Sequence, residues 1–342
     1  LPSSLKQPAF RKPLTARRLE ATEARYLIFL GCVIPYRVAS YETSARRVLP
    51  KLGVELVEMP KFNCCGFPLD PINHDAMLTL AARNLCLAEQ QNLDIMTLCN
   101  GCYGILHHVN KELKEDREVR DRVNAYLAEV DLEFKGTITV KHLIHVLAQD
   151  VGLKRIREAV RQPLNPLRVA QHTGCHVLRP RSVVGFDDPE NPTILKRLIE
   201  ATGAACLDYV DETECCGNPI IGVNSELPLQ LANEKLEHIK EVGAQALITV
   251  CPFCHMMYDL QQPRIERLFH VQYGIPVLHY PQLLGLAMGI RPDELALQDL
   301  RVDASPLIRK VHPKEQPRAV AGGPRALSVK RKIGKETRVG ER

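Results

Sequence analysis

The chain has 342 residues, 45% of them hydrophobic and 25% charged, which suits a globular protein with one large core or two domains of about 150 residues each. No apolar run reaches the roughly 18 residues of a membrane span, Leu283 to Ile290 coming nearest, and the Pro-, Arg- and Lys-rich start lacks a secretory apolar core, so the expectation is a cytoplasmic protein. The formal net charge of +5 divides into +4 over residues 1–25, +8 over 309–342 and −7 between them; with no Trp and 5% aromatics there is no base-stacking platform, so the basic ends read as docking or solubilising segments and not as a nucleic-acid site.

After an irregular extension with Pro2, Pro8 and Pro13, Tyr26 to Leu30 reads as a buried strand that ends at Gly31-Cys32. Ala39 to Leu52 reads as a helix stopped by Gly53, and Val54 to Met59 as a strand leading into Asn63-Cys64-Cys65-Gly66. A helix over Ala76 to Gln91 precedes a strand over Asp94 to Leu98 that delivers Cys99; a helix opens within Cys99-Asn100-Gly101-Cys102, and a charged one runs from Lys111 to Glu129. Thr137 to Val140 reads as a further strand, before a helix that contains His142.

The same order then recurs. A strand over Leu167 to Gln171 leads to Gly174-Cys175, Thr193 to Ala201 is a helix stopped by Gly203, and Cys206 to Val210 is a strand entering Glu214-Cys215-Cys216-Gly217. Leu229 to Val242 is a helix, and Ala246 to Val250 a strand delivering Cys251-Pro252-Phe253-Cys254. The three cysteine stations repeat at offsets of 143, 151 and 152 residues, and Leu80-Ala81-Ala82-Arg83-Asn84-Leu85 aligns with Leu231-Ala232-Asn233-Glu234-Lys235-Leu236. The expected fold is therefore α/β: two pseudo-symmetric, Rossmann-like parallel-sheet halves from an internal duplication, divided into domains 26–160 and 161–308 and flanked by basic segments 1–25 and 309–342. Functional crevices of such sheets lie at the carboxyl ends of the strands, where every cysteine station falls. Beyond about Leu307 the proline-bearing tail reads as extended.

Ten of the twelve cysteines form two matching sets, Cys-x31-Cys-Cys-x33-Cys-x2-Cys and Cys-x39-Cys-Cys-x34-Cys-x2-Cys. Vicinal cysteines strain a disulfide, whereas adjacent thiolates can serve one compact metal centre. Soft thiolates suit iron–sulfur clusters or zinc. Five thiolates overfill a tetrahedral zinc site, and the Cys-x2-Cys-x2-Cys-x3-Cys-Pro run of cubane ferredoxins is absent. From the residues alone an unusual multi-iron cluster per half leads, with structural zinc and a dithiol relay as the other readings. Cys86, inside a helix, and Cys206, inside a strand, read as buried small hydrophobes. Gly66 and Gly217 read as positions of positive φ or of close backbone approach.

The two motifs resemble the paired Cys-Cys-Gly domains of the catalytic B subunit of heterodisulfide reductase. The likeness runs from about Tyr26 to Ile308 and includes Leu30-Gly31-Cys32, Cys99-Asn100-Gly101-Cys102-Tyr103-Gly104, Cys251-Pro252-Phe253-Cys254-His255 and Leu283 to Gly289. The resemblance implies two noncubane [4Fe-4S] clusters, one on Cys32, Cys64, Cys65, Cys99 and Cys102, the other on Cys175, Cys215, Cys216, Cys251 and Cys254, with a disulfide or thiol substrate between them. It also implies partners, a small iron–sulfur subunit and a flavin-bearing subunit; the chain has no ferredoxin motif and no dinucleotide loop of its own. His172, His176 and His255 stand beside the cysteines as possible proton donors, or as hydrogen-bonding support for the ligands. Three other functions stay open: a sulfur-oxidising relative acting on a lipoyl-bound sulfur, a non-catalytic electron-transfer subunit of a flavin dehydrogenase, and a zinc-stabilised scaffold.

Overall fold

The computed structural model describes residues 24–311, so nearly all of the basic segments lies outside the described residues. Strands β1 (Ala24–Phe29), β2 (Val54–Val57), β3 (Ile95–Thr97) and β4 (Val140–His142) form one parallel sheet in the order β2-β1-β3-β4. Strands β5 (Arg168–His172), β6 (Ala205–Leu207), β7 (Leu247–Thr249) and β8 (Val277–His279) form a second in the order β6-β5-β7-β8. In each half the chain turns first to one side of its opening strand and then to the other. The crevice of such a sheet opens outside β1 and β3, and outside β5 and β7. The central strands are short apolar runs because helices cover both faces, as parallel sheets require: Tyr26 to Phe29 of β1, and all of β3 and β7, are buried.

The duplication and the alternation of strands and helices stand as expected, with five local differences. The helix from Ala39 ends at Val48 and tightens into a 3-10 turn over Leu49–Leu52, where Pro50 lacks an amide proton. The charged helix breaks at Asp116, whose extended backbone and side chain, accepting from Val119 N at 3.1 Å, cap a new helix over Arg117–Leu127. The fourth strand begins at Val140, not Thr137, so His142 ends a strand and caps the turn after it, its Nδ1 accepting from Ile144 N at 3.4 Å. Its equivalent β8, three residues long, has no counterpart among the expected strands. Finally, Ser305–Val311 is helical, not extended, because Leu307 and Ile308 are buried against the body.

The halves meet through reciprocal contacts. Tyr41 of the first half stacks on His279 of the second at 3.8 Å between ring centres, and Phe186 of the second lies on His145 of the first at 3.6 Å. The helix Ala39–Val48 packs on Tyr280–Ala287, and Asn100–Glu115 packs on Arg181–Val184 with Lys111 Nζ donating to Ser182 O at 2.7 Å. At the middle, Tyr41 Oη donates to Val250 O at 3.0 Å and Asn100 Nδ2 to Thr173 O at 2.7 Å. The carboxyl ends of β1 and β3 therefore face those of β5 and β7.

Candidate metal centres

Each cysteine is placed by a backbone feature that its neighbours impose. Beyond β1, Gly31 turns the chain at φ 66° and brings Cys32 to the cleft that Cys64, Cys65, Cys99 and Cys102 also line; a Cβ on Gly31 would lie 2.8 Å from Cys102 Sγ. Beyond β2, Gly66 takes φ 96° after the vicinal pair, and its amide donates to Cys64 Sγ at 3.5 Å. β3 delivers Cys99 to the N-cap of the helix Asn100–Glu115, with Cys102 in the first turn. Helix N-termini favour thiolate over thiol; at Cys99 the bond from Cys102 acts in the same sense, but Cys251 and burial outweigh it, and Cys65, Cys99 and burial push Cys102 up as well.

The second half repeats the arrangement. Gly174 has φ 79° before Cys175, Gly217 has φ 70° with its amide donating to Cys215 Sγ at 3.4 Å, and Cys251 caps the helix Pro252–His255. The positive φ expected at Gly66 and Gly217 is present.

All the cysteines are unbridged thiols, and ten of them form a continuous array. Hydrogen bonds from Cys102 and then Cys64 hold the Cys65 thiol down to about 4, while the same pairing, with burial, pushes Cys64 up. In the second half, bonds from Cys175 and Cys216 hold Cys215 down to about 2 and push Cys175 and Cys216 up. Burial works against a Cys251 thiolate, but bonds from Cys254 and from Cys99 keep it low. The Cys99–Cys251 contact joins the two sets across the boundary between halves. Sulfurs this close share protons, and metal ions would take the place of those protons. Cys86 and Cys206 stand apart: both are buried, and desolvation pushes each up to about 12. Their reading as core residues agrees with this.

The three histidines separate. His176 is half-buried, 3.4 Å from Cys175 Sγ by Nδ1, with its ring edge-on to Phe67 at 5.2 Å. His255 is buried between the His279 ring, stacked at 4.1 Å, and Asp259 Oδ2, 3.5 Å from its Nε2. His172 is fully buried, neither ring nitrogen makes a hydrogen bond of ordinary geometry, and it groups with Cys216 and Cys254, their ligand atoms within 4.8 Å of one another. Elsewhere, His108 pairs with Glu112 at 3.6 Å and His107 meets Val183 O at 3.2 Å, so neither belongs to the array.

Sequence reading missed several residues. Phe67 and Phe253 line an apolar cleft over the first set, with Leu30, Val33, Pro68 and Pro252. Asn84 and Lys235 clamp the two vicinal-cysteine loops from below: Asn84 Nδ2 donates to Cys64 O at 3.0 Å, and Lys235 Nζ to Glu214 O at 3.1 Å. Their signal lay in the repeated helix segment, as the one buried polar position where Leu80–Leu85 and Leu231–Leu236 disagree.

A family model for the cysteine-rich domain matches residues 26–107 and again 169–259. The B subunit of the ferredoxin:CoB-CoM heterodisulfide reductase of Methanosarcina mazei is 36% identical over 289 residues, spanning 83% of this chain and 96% of that protein. The chain belongs to the B-subunit family of heterodisulfide reductases. Other relatives are a heterodisulfide reductase B-subunit-like protein of Archaeoglobus profundus, 34% identical over 80% of this chain and 93% of its own, and the 8-methylmenaquinol:fumarate reductase membrane anchor subunit of Wolinella succinogenes, 33% identical over 83% and 99%. A crystal structure of a hypothetical protein from Helicobacter pylori shares the fold, with a TM-score of 0.66 at 17% identity over 82% of this chain; the match spans about half of that protein, 52%.

As a member of this heterodisulfide reductase family, the chain is an iron–sulfur subunit of oxidoreductase type. The residues fit such a group: ten thiols converge, two glycine amides already donate to sulfur, and Gly31 and Gly174 leave room where a Cβ would meet Cys102 and Cys254 sulfur. Among the described residues no helix is long and apolar enough to cross a membrane.

Proposed function

We propose that this chain is the catalytic subunit of a heterodisulfide reductase-like complex, acting on a disulfide, or forming one from thiols, between two noncubane [4Fe-4S] clusters. The observation that carries the reading is the meeting of the two five-cysteine sets at Cys99 and Cys251, beside an apolar cleft over the first set that Pro252 and Phe253 of the second half help to line. Cys32, Cys64, Cys65, Cys99 and Cys102 hold one cluster; Cys175, Cys215, Cys216, Cys251 and Cys254 hold the other. Domains 26–160 and 161–308 are the two cluster-binding units. When bound, the two clusters together would supply the two electrons that a disulfide needs on reduction.

The chain's own residues do the rest. Phe67, Phe253, Pro68 and Pro252 line the apolar cleft over the first set and keep water from it; its free volume is about 20 Å³, so these side chains must part before an S–S bond reaches the sulfurs. His176, the half-buried one of the three candidate histidines, borders that cleft through Phe67 and, as imidazolium, gives a proton to a departing thiolate and becomes neutral imidazole. His172 and His255, buried behind the cysteines, support the ligands. Electrons arrive through a small iron–sulfur subunit and a flavin-bearing subunit, and the complex works in the cytoplasm.

Anaerobic purification followed by iron, sulfide and zinc analysis tests this directly. About eight irons per chain are expected for two four-iron clusters. Stoichiometric zinc with little iron would overturn the reading, as would clusters that are fully assembled in a complex without disulfide turnover in either direction.

A further inference from the structure

The ten cysteines match between halves; what stands around them does not. Phe29 and His172 occupy one place of the duplicated sheet, since Phe29 pairs with Thr97 and His172 with Thr249 at the ends of the same strand pairs. Asn84 and Lys235 occupy one place of the duplicated helix, each reaching the loop that carries its vicinal cysteines. Four residues past the last cysteine of each set stand Leu106 and Tyr258, both buried, the latter with an unpartnered hydroxyl and its ring edge-on to His172 at 5.2 Å. At all three places the first half has the apolar or neutral side chain and the second the more polar one.

We propose that the two centres are electrically unequal: the buried Lys235 ammonium, aided by His172, gives the centre of the second half the higher reduction potential, so that a single added electron rests there. The proposal depends on the iron–sulfur reading above and adds an order between the two sites.

Lys235 is 1% exposed, and its Nζ donates to the carbonyls of Asp211, Glu212 and Glu214. Three carbonyl acceptors use three N–H donors, which an ammonium has and a neutral amine lacks. Burial lowers the Lys235 pKa, and the Asp211 carboxylate is the first of the groups that hold the charge against it. A cation in this setting favours the more negative, reduced state of a neighbouring cluster, because a low dielectric leaves its field unscreened. His172 adds a ring nitrogen with no other partner beside Cys216 and Cys254, and hydrogen bonds to cluster sulfurs raise potentials further. The leading influences on Cys64, Cys65, Cys99 and Cys102, and likewise on Cys175, Cys216, Cys251 and Cys254, are other cysteines, burial and backbone groups; at Cys215 His172 joins them.

Charges nearer the surface run the other way. Lys61 and Arg83 flank the first loop, while Asp211, Glu212 and Glu214 belong to the second. None of these is buried, so solvent screens them more than it does Lys235. Cys32 and Cys215 are both exposed, so contact with solvent does not separate the centres.

The test is a redox titration of the anaerobically purified protein, followed by electron paramagnetic resonance or Mössbauer spectroscopy, on wild type and on three variants that copy one half into the other. Wild type should show two waves separated by at least tenfold in the partition of one electron, about 59 mV for a one-electron couple. Lys235→Asn should move the upper wave down towards the lower one, His172→Phe should move the same wave by less, and Asn84→Lys should raise the lower wave. Coincident waves in wild type, or an upper wave that neither Lys235→Asn nor His172→Phe moves, overturn the proposal. If Lys235→Asn does not fold, Asn84→Lys and His172→Phe decide the matter on the same readout. A protein without iron would instead remove the functional reading on which the proposal stands.

Discussion

The two halves are the same fold with different interiors. Both place a glycine of positive φ before the first cysteine and after the vicinal pair, and both set the penultimate cysteine at a helix N-cap. These features follow from backbone geometry, which leaves few residues to choose from. The positions around the sulfurs carry no such constraint: Phe29 and His172 stand at equivalent strand positions, and Asn84 and Lys235, though different in size and charge, clamp the same kind of loop. Ligand geometry was thus retained after duplication while the electrostatic surroundings of the ligands diverged. Predictions that treat the halves separately can break or sharpen that view.

The largest expected effect is on metal content. Cys65→Ser should remove the first centre and leave about half the iron, with the signal of the second centre intact, and Cys216→Ser should do the converse. Iron analysis with spectroscopy of each variant checks this. If either variant loses all its iron, the halves load as one unit and the independent-site comparison fails.

The next contrast concerns Gly31 and Gly174. An alanine at either place costs about 1–2 kcal/mol for a left-handed backbone. At Gly31 the new Cβ meets Cys102 Sγ at 2.8 Å, whereas at Gly174 it meets Asn100 Nδ2 at 2.5 Å, the atom that donates to Thr173 O across the halves. Gly174→Ala should therefore lose about 1–3 kcal/mol more than the backbone term, through overpacking and loss of that bond. Anaerobic denaturation of both variants should show Gly174→Ala as the weaker protein. Equal losses would mean that Asn100 moves aside without cost.

How far the sequence revealed these features depended on whether chain chemistry or tertiary contact decides them. The cysteine stations, Gly66 and Gly217 were legible because few other residues can do what they do. The strand end was legible for β1 from the apolar run Tyr26 to Leu30, and for β5, where only Val169 and Ala170 are apolar, from its place in the repeat before Gly174-Cys175. β8 was not, because Val277, Leu278 and His279 make too short a run to stand out from an apolar stretch that continues into the helix Tyr280–Ala287. Phe67 and Phe253 could not be assigned to a shared cleft from sequence, since they come together only when the halves dock, 6.3 Å apart between ring centres. Lys235 looked like one more charge on an amphipathic helix, and only its burial beneath the loop distinguishes it.

A smaller effect separates the histidines at the boundary between halves by pH. Burial first, then His142, holds His145 down to about 2, and burial holds His142 at about 4. Both are neutral in the folded protein, while in the unfolded chain they titrate near 6.5. Below about pH 6.5 the unfolded state therefore binds more protons, and stability falls as pH falls, by up to about 1.4 kcal/mol per pH unit for each such histidine. His145→Phe removes one of these protons and should flatten the acid side of the stability profile between about pH 6.5 and pH 4.5. Thermal melts of wild type and variant at matched pH values check the slope, and parallel curves would show that His145 is protonated within the fold.

The smallest effect tests whether the reciprocal aromatic contacts are equivalent. Tyr41 on His279 and Phe186 on His145 are both close ring pairs, the first nearly parallel at 16° and the second tilted at 35°, and Tyr41 also donates its hydroxyl to Val250 O, one residue before Cys251. Tyr41→Phe makes both contacts phenylalanine–histidine pairs. The stacked ring remains, and a buried carbonyl loses its side-chain donor, which costs about 1 kcal/mol. If the hydroxyl also steadies Val250 and so the start of the helix that carries Cys251 and Cys254, iron in the second centre should exchange with a chelator faster than in wild type while the first centre is unchanged. A stability loss without faster release would make the bond purely structural. Faster release from both centres would show that the Cys99–Cys251 contact couples them more tightly than the two sheets suggest.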